Sequence, residues 1–288
     1  MAILRIVAFG LFGPIIVVVL VLLVRPIRNG LHAFVYGRWT DRYVSFLRNF
    51  WVPRFGSRGK HWLAERYHGK VLTPEQAEAI VTLDHDIGEQ EIEQVIPYKH
   101  ARKIVLNGPP DIAAYECACR ASRLDPCRPT QVCMVVGQPY ADATLKHHPG
   151  KSRRLSRDEA LALLKAEHER GHLHSAWFKD AMGDRFYAIC NCCKCCCGGI
   201  EAMVVHDAPM MISSGYVAGI DEASCARCGT CAEICPFDAV MTDVSGGYTV
   251  NADVCMGCAV CQGGCPNGAI ELARDESKPA PLDVRLLT

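Results

Sequence analysis

Eighteen cysteines in a chain of 288 residues fall into tight groups instead of being scattered. Cys225, Cys228, Cys231 and Cys235 follow C-x2-C-x2-C-x3-C and run into Pro236; Cys255, Cys258, Cys261 and Cys265 repeat the pattern and run into Pro266. Small disulfide-built scaffolds are shorter and space their cysteines more widely, so this grouping points to thiolates ligating metal. Paired C-x2-C units also build zinc sites. The third cysteine of each run and its Cys-Pro ending favour iron–sulfur clusters, three thiolates wrapping one cubane while the fourth reaches across to the other. Such centres pass single electrons, and the segment offers no residues for acid–base work.

The double run resembles the bacterial two-cluster ferredoxins over roughly Gly219 to Leu272. The resemblance implies one 4Fe-4S cluster on Cys225, Cys228, Cys231 and Cys265, and a second on Cys255, Cys258, Cys261 and Cys235. It also implies a small α+β fold. Between the runs, "AVMTDVSGGYTVNADV" alternates apolar residues around a Ser-Gly-Gly turn and is predicted to form a short hairpin.

Ten cysteines remain. Cys117, Cys119, Cys127 and Cys133 lie in "ECACRASRLDPCRPTQVC", and Cys190, Cys192, Cys193, Cys195, Cys196 and Cys197 crowd into "CNCCKCCCGG". Unligated thiols at this density would be prone to oxidation. Three readings stay open: one or two further iron–sulfur clusters, a structural zinc, or redox-active or merely buried thiols. If the second stretch is extended, Cys190 and Cys192 face one side and Cys193, Cys195 and Cys197 the other, so one tetrahedral site cannot use them all. The stretch then reads as a two-faced strip completed by the cysteines from 117 to 133, with Gly198 and Gly199 letting the backbone come close.

The same stretch with the preceding "GHLHSAWF" and the upstream "ECACR" is similar to an uncharacterised group of bacterial and archaeal iron–sulfur proteins ending in a two-cluster ferredoxin module, over about Ile96 to Leu272. Cys196, Cys197 and Gly198 also resemble the Cys-Cys-Gly element of heterodisulfide-reductase-type subunits. His172 and His174 are candidate ligands or proton carriers, with a solvated position past a helix end as the ordinary alternative. His147 and His148 read as surface residues. Arg120, beside Cys119, is expected either to balance charge at a metal site or to form an ordinary ion pair.

The elements that must position these groups are readable in part. Thr73, Pro74 and Gln76 form a helix-start signature, with the helix running to about Leu83. "PYKHARKIVLNG" places Tyr98, Ala101, Ile104 and Val105 on one helical face ending at Gly108. Ser156 and Glu159 make a capping box for a helix with Leu161 and Leu164 buried and Gly171 as its stop. Ile6 to Val24 is 19 uncharged residues, about the length of a membrane span. Arg25, Arg28, Arg38, Arg42 and Arg48 follow it, against Arg5 before it, which predicts a single-pass membrane protein with a cytoplasmic bulk. Leu31 to Trp51 reads as an interfacial amphipathic segment or as a helix packed on the soluble part, and "RFGSRGK" at Arg54 to Lys60 as a linker.

The expected architecture is therefore α+β: a membrane anchor over 1–53, a mainly helical cysteine-rich domain over 60–212, a two-cluster ferredoxin-like domain over 213–275, and a tail over 276–288. Balanced charge, with 31 basic and 31 acidic residues, recommends no nucleic-acid partner. The expected role is an electron-transfer protein or oxidoreductase subunit, not a stand-alone enzyme, with redox proteins and a membrane or quinone-linked complex as partners. The alternatives are a reductase whose middle domain is catalytic, and a redox or oxygen sensor.

Overall fold

Short runs of aromatic, β-branched and small apolar residues build the centre of the protein, a computed structural model that describes residues 39–287. Strands β1 (Tyr67–Leu72), β2 (Ile87–Glu91), β3 (Lys103–Leu106), β4 (Ile112–Tyr115), β5 (Cys133–Val136), β6 (Ser152–Leu155), β7 (Leu173–Lys179), β8 (Arg185–Cys192) and β9 (Met211–Ile212) form one mixed sheet. Its order is β6-β4-β5-β8-β7-β1-β9, with the β2–β3 hairpin joined to β8 through Lys103 and Arg185. Neighbours run antiparallel except β1 with β9 and β3 with β8.

The central strand β7 is buried along its whole length, because both sheet faces are covered. Alternation sends Ala176 and Phe178 into a core with Leu72, Ile80, Leu164 and Ile189, and sends Leu173 and Trp177 to the other face with Val71, Tyr187 and Ile200. Helices α1 (Ser57–Ala64), α2 (Pro74–Val81), α3 (Ala118–Ala121), α4 (Tyr140–His147), α5 (Arg157–Glu169) and α6 (Gly198–Val204) surround the sheet. The two helix-start signatures hold: Thr73 and Gln76 cap α2 reciprocally, and Ser156 and Glu159 cap α5. Each box satisfies two otherwise orphaned backbone donors, and losing such a cap costs about 1 kcal/mol.

The expected mainly helical middle domain is corrected to this sheet-centred, mixed α/β arrangement. Residues predicted as the helix of "PYKHARKIVLNG" instead form a loop and β3, for two reasons. Ala101 sits at φ +52°, which breaks a helix, and the Ile-Val-Leu run gains a hairpin partner in β2. The expected linker at Arg54 to Lys60 is partly helical, since α1 begins at Ser57.

The expected membrane span, Ile6 to Val24, lies outside the described residues. Among the described residues no helix is long and apolar enough to cross a membrane, and this corrects the expected anchor and single-pass placement. The described residues open in a helical run, 39–54, that carries Asp41, Arg42, Arg48 and Arg54. It packs on the protein itself: Val52 is buried, and Arg48 donates to Ser122 Oγ at 3.0 Å.

The C-terminal part contains β10 (Tyr216–Ile220) paired antiparallel with β13 (Ile270–Arg274), and the hairpin of β11 (Val240–Thr242) and β12 (Tyr248–Val250). That hairpin is the one expected around the Ser-Gly-Gly turn. Two short helices, α7 (Thr230–Ile234) and α8 (Val260–Gly263), lie within the two cysteine runs and carry Cys231 and Cys261. The chain then returns to the large sheet. Ala280 N–H donates to the Gln94 carbonyl at 2.7 Å, the Ala280 carbonyl accepts from Lys70 Nζ at 2.7 Å, and Leu282 and Val284 are buried in the sheet's core.

Candidate metal centres

The two C-terminal runs adopt the same backbone twice. Arg227, Gly229 and Asp238 in the first, and Gly257, Ala259 and Gly268 in the second, all have positive φ at equivalent places. Left-handed residues among right-handed ones turn successive N–H groups inward, a geometry suited to anionic centres including iron–sulfur clusters. The fourth cysteines show the same equivalence: Cys235 Sγ accepts from Ala239 N–H and Cys265 Sγ from Ala269 N–H, each at 3.3 Å. At Gly257 a side chain would collide with the Tyr216 carbonyl oxygen and the Ser214 hydroxyl, so only glycine fits.

Cys225, Cys228, Cys231 and Cys265 line one small cavity, closed by Ile220, Tyr248 and Ile270. Three sulfurs come from the first run and one from the last position of the second. Cys235 correspondingly lies among Cys255, Cys258 and Cys261, all four of them buried. Burial pushes the Cys258 thiol up and raises Cys261 to about 12, a resistance to ionisation that bound iron would overcome. The donor set, the inward amides and the glycine cradle fit 4Fe-4S clusters.

The ten middle cysteines fall into two groups that meet at Cys193. Cys117, Cys119, Cys133, Cys190, Cys192, Cys193 and Cys197 line a single pocket, walled by Trp177, Gly198, Gly199 and Met210 and covered by Val44, Leu47 and Val52 of the helical run 39–54. All but Cys193 form one chain of thiol contacts, Cys190 to Cys133 to Cys117 to Cys119 to Cys197 to Cys192. Cys119 is held well below its ordinary value because it accepts from Cys117 and Cys197, with the Gly198 amide and Arg48 also favouring the thiolate against burial. Its neighbour Cys117 is pushed well up by giving its hydrogen to Cys119 and by its contact with Cys133; Cys197 rises by its contacts with Cys119 and Cys192. The expectation that Cys197 faces away from Cys190 and Cys192 is corrected. Extension stops at Cys192, and a turn, with Cys197 N–H donating to the Cys193 carbonyl at 3.1 Å, brings Cys197 back to the same pocket.

Cys127, Cys193, Cys195 and Cys196 form the second group. Cys193 lies with Cys127 and His172 in one set of donor atoms within 4.8 Å of each other, and with Cys195 and Cys196 in another. His172 and His174 are buried, correcting the solvated alternative. Arg120 is buried as well, and its Nη2 donates to Glu167 Oε2 at 2.8 Å and to the Asn191 carbonyl at 3.2 Å. The sequence reading missed Glu167 and Asn191, although each carries a visible signal: Glu167 lies five residues before His172, and Asn191 sits within the cysteine strip itself. His147 is exposed and His148 half-buried, both away from the thiols.

The two parts of the protein meet at these centres. Met256, Cys258, Val260 and Phe237 pack in the same apolar cluster as Cys192, Cys197 and Ile200. Lys194, in the turn of the cysteine strip, pairs with Asp238 at 2.8 Å and donates to the Glu233 carbonyl at 3.3 Å. The Cys225 run faces outward, with Cys228 exposed.

Residues 218–272 match the family model of the 4Fe-4S dicluster domain, so the C-terminal part is a ferredoxin-type domain that binds iron–sulfur clusters. Pyruvate synthase subunit PorD of Methanocaldococcus jannaschii is 35% identical over 57 residues, which are 20% of this chain and 66% of that protein. The chain thus spans just under two-thirds of that relative's length, and the likeness falls on the ferredoxin-type domain.

Proposed function

We propose that this protein relays single electrons between a redox partner and a centre in its own middle domain. In this reading the outer 4Fe-4S cluster is held by Cys225, Cys228, Cys231 and Cys265, and the inner one by Cys255, Cys258, Cys261 and Cys235. A further iron–sulfur centre sits in the pocket of Cys117, Cys119, Cys133, Cys190, Cys192 and Cys197. Bound clusters supply one-electron chemistry; the chain holds them, keeps water out and sets their potentials through backbone donors and burial.

The observation that carries the reading is the shared apolar cluster of Cys258 with Cys192 and Cys197, which puts the inner half of the ferredoxin-type domain against the middle pocket. Cys228, exposed at the opposite half, offers the entry for a partner. The relative named as a pyruvate synthase subunit supports a redox enzyme as that partner, without fixing which one.

Iron and acid-labile sulfide counted on anaerobically purified protein test the reading. The expected count is about 12 of each per chain, four per cubane-type centre. About eight of each would confine the clusters to the C-terminal domain and end the relay there. A catalytic middle domain is the second reading, favoured by the adjacent thiols of Cys195 and Cys196, whose sulfurs are 3.4 Å apart. Disulfide reduction by the reduced protein, abolished in Cys196→Ser, would support it; turnover only with protein partners supports the relay.

A further inference from the structure

We infer that Cys127, Cys193, Cys196 and His172 form a mononuclear zinc site beside the pocket of Cys117, Cys119, Cys133, Cys190, Cys192 and Cys197, with Cys193 in the wall between the two. The donor atoms of Cys127, His172 and Cys193 all lie within 4.8 Å of one another, as do those of Cys193, Cys195 and Cys196. Cys127 Sγ is 3.9 Å from His172 Nε2. Around one tetrahedral ion, with metal–sulfur and metal–nitrogen distances of about 2.3 and 2.0–2.1 Å, that separation is roughly 3.6 Å. A small contraction brings Cys127 and His172 onto a single ion with Cys193. Cys196 Sγ, in the donor set of Cys193 and accepting from Cys127 N–H at 3.4 Å, is the nearest further thiolate and moves inward as the fourth ligand. Cys195 is exposed and not required.

The imidazole is prepared for this role. His172 Nδ1 lies 2.7 Å from Glu167 Oε2 and 3.1 Å from Arg120 Nη2. A nitrogen cannot donate to one and accept from the other. The shorter contact to a carboxylate, and the two acceptors Arg120 Nη2 already has, assign the proton to Nδ1 and its partner to Glu167. The Nε2 lone pair is then free on the side of Cys127. A carboxylate orienting a histidine through its distal nitrogen is the usual support of a histidine bound to zinc, and it makes Glu167 a positioning residue. The guanidinium of Arg120 lies beside this group and offsets part of the charge of three thiolates.

Zinc, iron and sulfide measured together on the anaerobically purified full-length protein test the site. About one zinc per chain should survive dialysis, and Cys127→Ser should abolish it while iron and sulfide stay unchanged. Cys195→Ser should leave all three counts as they were. The zinc K-edge spectrum of the unaltered protein should show three sulfurs and one nitrogen, which decides the matter even if Cys127→Ser does not fold. Absence of a zinc equivalent, an all-sulfur spectrum, or loss of iron and sulfide together in Cys127→Ser would overturn the inference. It stands apart from the relay reading, which fails on the iron count while this site fails on the zinc count.

Discussion

Glu167→Gln removes one negative charge from a buried polar group while keeping its shape. The side chains of Arg120 and Glu167 are 1% and 0% exposed, so water cannot replace the lost partner. Glu167 receives Arg120 Nη2 at 2.8 Å, Arg170 Nη1 at 2.8 Å and His172 Nδ1 at 2.7 Å. Burial alone would push its carboxyl up. The hydrogen bonds from His172 and Arg120 outweigh burial and hold it below the ordinary carboxylate value, so it is charged at neutral pH. Breaking a buried ion pair from one side costs about 3–5 kcal/mol. Arg120 keeps the carbonyls of Pro129 and Asn191, which puts the expected loss at the lower end, about 3 kcal/mol. At roughly 2–4 °C per kcal/mol for a protein of this size, the midpoint of thermal unfolding should fall by about 6–12 °C. Circular dichroism under anaerobic conditions at pH 7 measures it, with Arg120→Met and the double variant completing a cycle. The double variant should be more stable than the sum of the single losses predicts, because no uncompensated charge remains. A drop below about 2 °C, or strictly additive losses, would refute the argument that the pair is a coupled buried unit.

Cys235→Ser should remove the inner cluster and spare the outer one, lowering iron by about four per chain; loss of the outer cluster instead would contradict the crossed arrangement. Gly257→Ala should prevent assembly of the inner cluster because its Cβ has no room, whereas Gly268→Ala, with open space around it and φ +63°, should cost only about 1–2 kcal/mol. Iron content and unfolding midpoints separate the two. His68 is buried with its pKa lowered to about 4, chiefly by desolvation, so the unfolded chain takes up its proton first as pH falls. Its share of the stability lost between pH 7.5 and 5.5 is roughly 1 kcal/mol, beside that of His174, which burial lowers to about 4 as well; His68→Leu should flatten the slope in denaturant titrations by that share. Glu167→Gln should also release zinc about 10- to 100-fold more readily, read by competition with a chromophoric chelator.

How much of this was legible depended on the kind of signal. Capping boxes are local chemistry, so Thr73 with Gln76 and Ser156 with Glu159 announced their helices. The spacing of the C-terminal cysteines is equally local. Strands such as "CMVV" and "IAAY" are four residues long and buried, with no alternation to display, and only pairing across the sheet makes them strands. The middle site was half legible for the same reason. Alternation separated Cys190 and Cys192 from Cys193, but the turn that returns Cys197 depends on the seating of α6 beneath Trp177. At Gly199 a Cβ would come within 2.9 Å of that ring. His172 looked like a residue past a helix end; the partners that bury it, Arg120 and Glu167, come from 52 and 5 residues away.

The return of the chain through Ala280, Leu282 and Val284 means that the ferredoxin-type domain is held to the large sheet at both ends, by β9 on entry and by this tail on exit. A carrier on a single tether can swing between donor and acceptor, and its rate then follows solvent viscosity. Here both ends are fixed, so in the proposed relay charge would cross a standing gap. Added glycerol should leave internal transfer unchanged and slow only the collision with the outside partner.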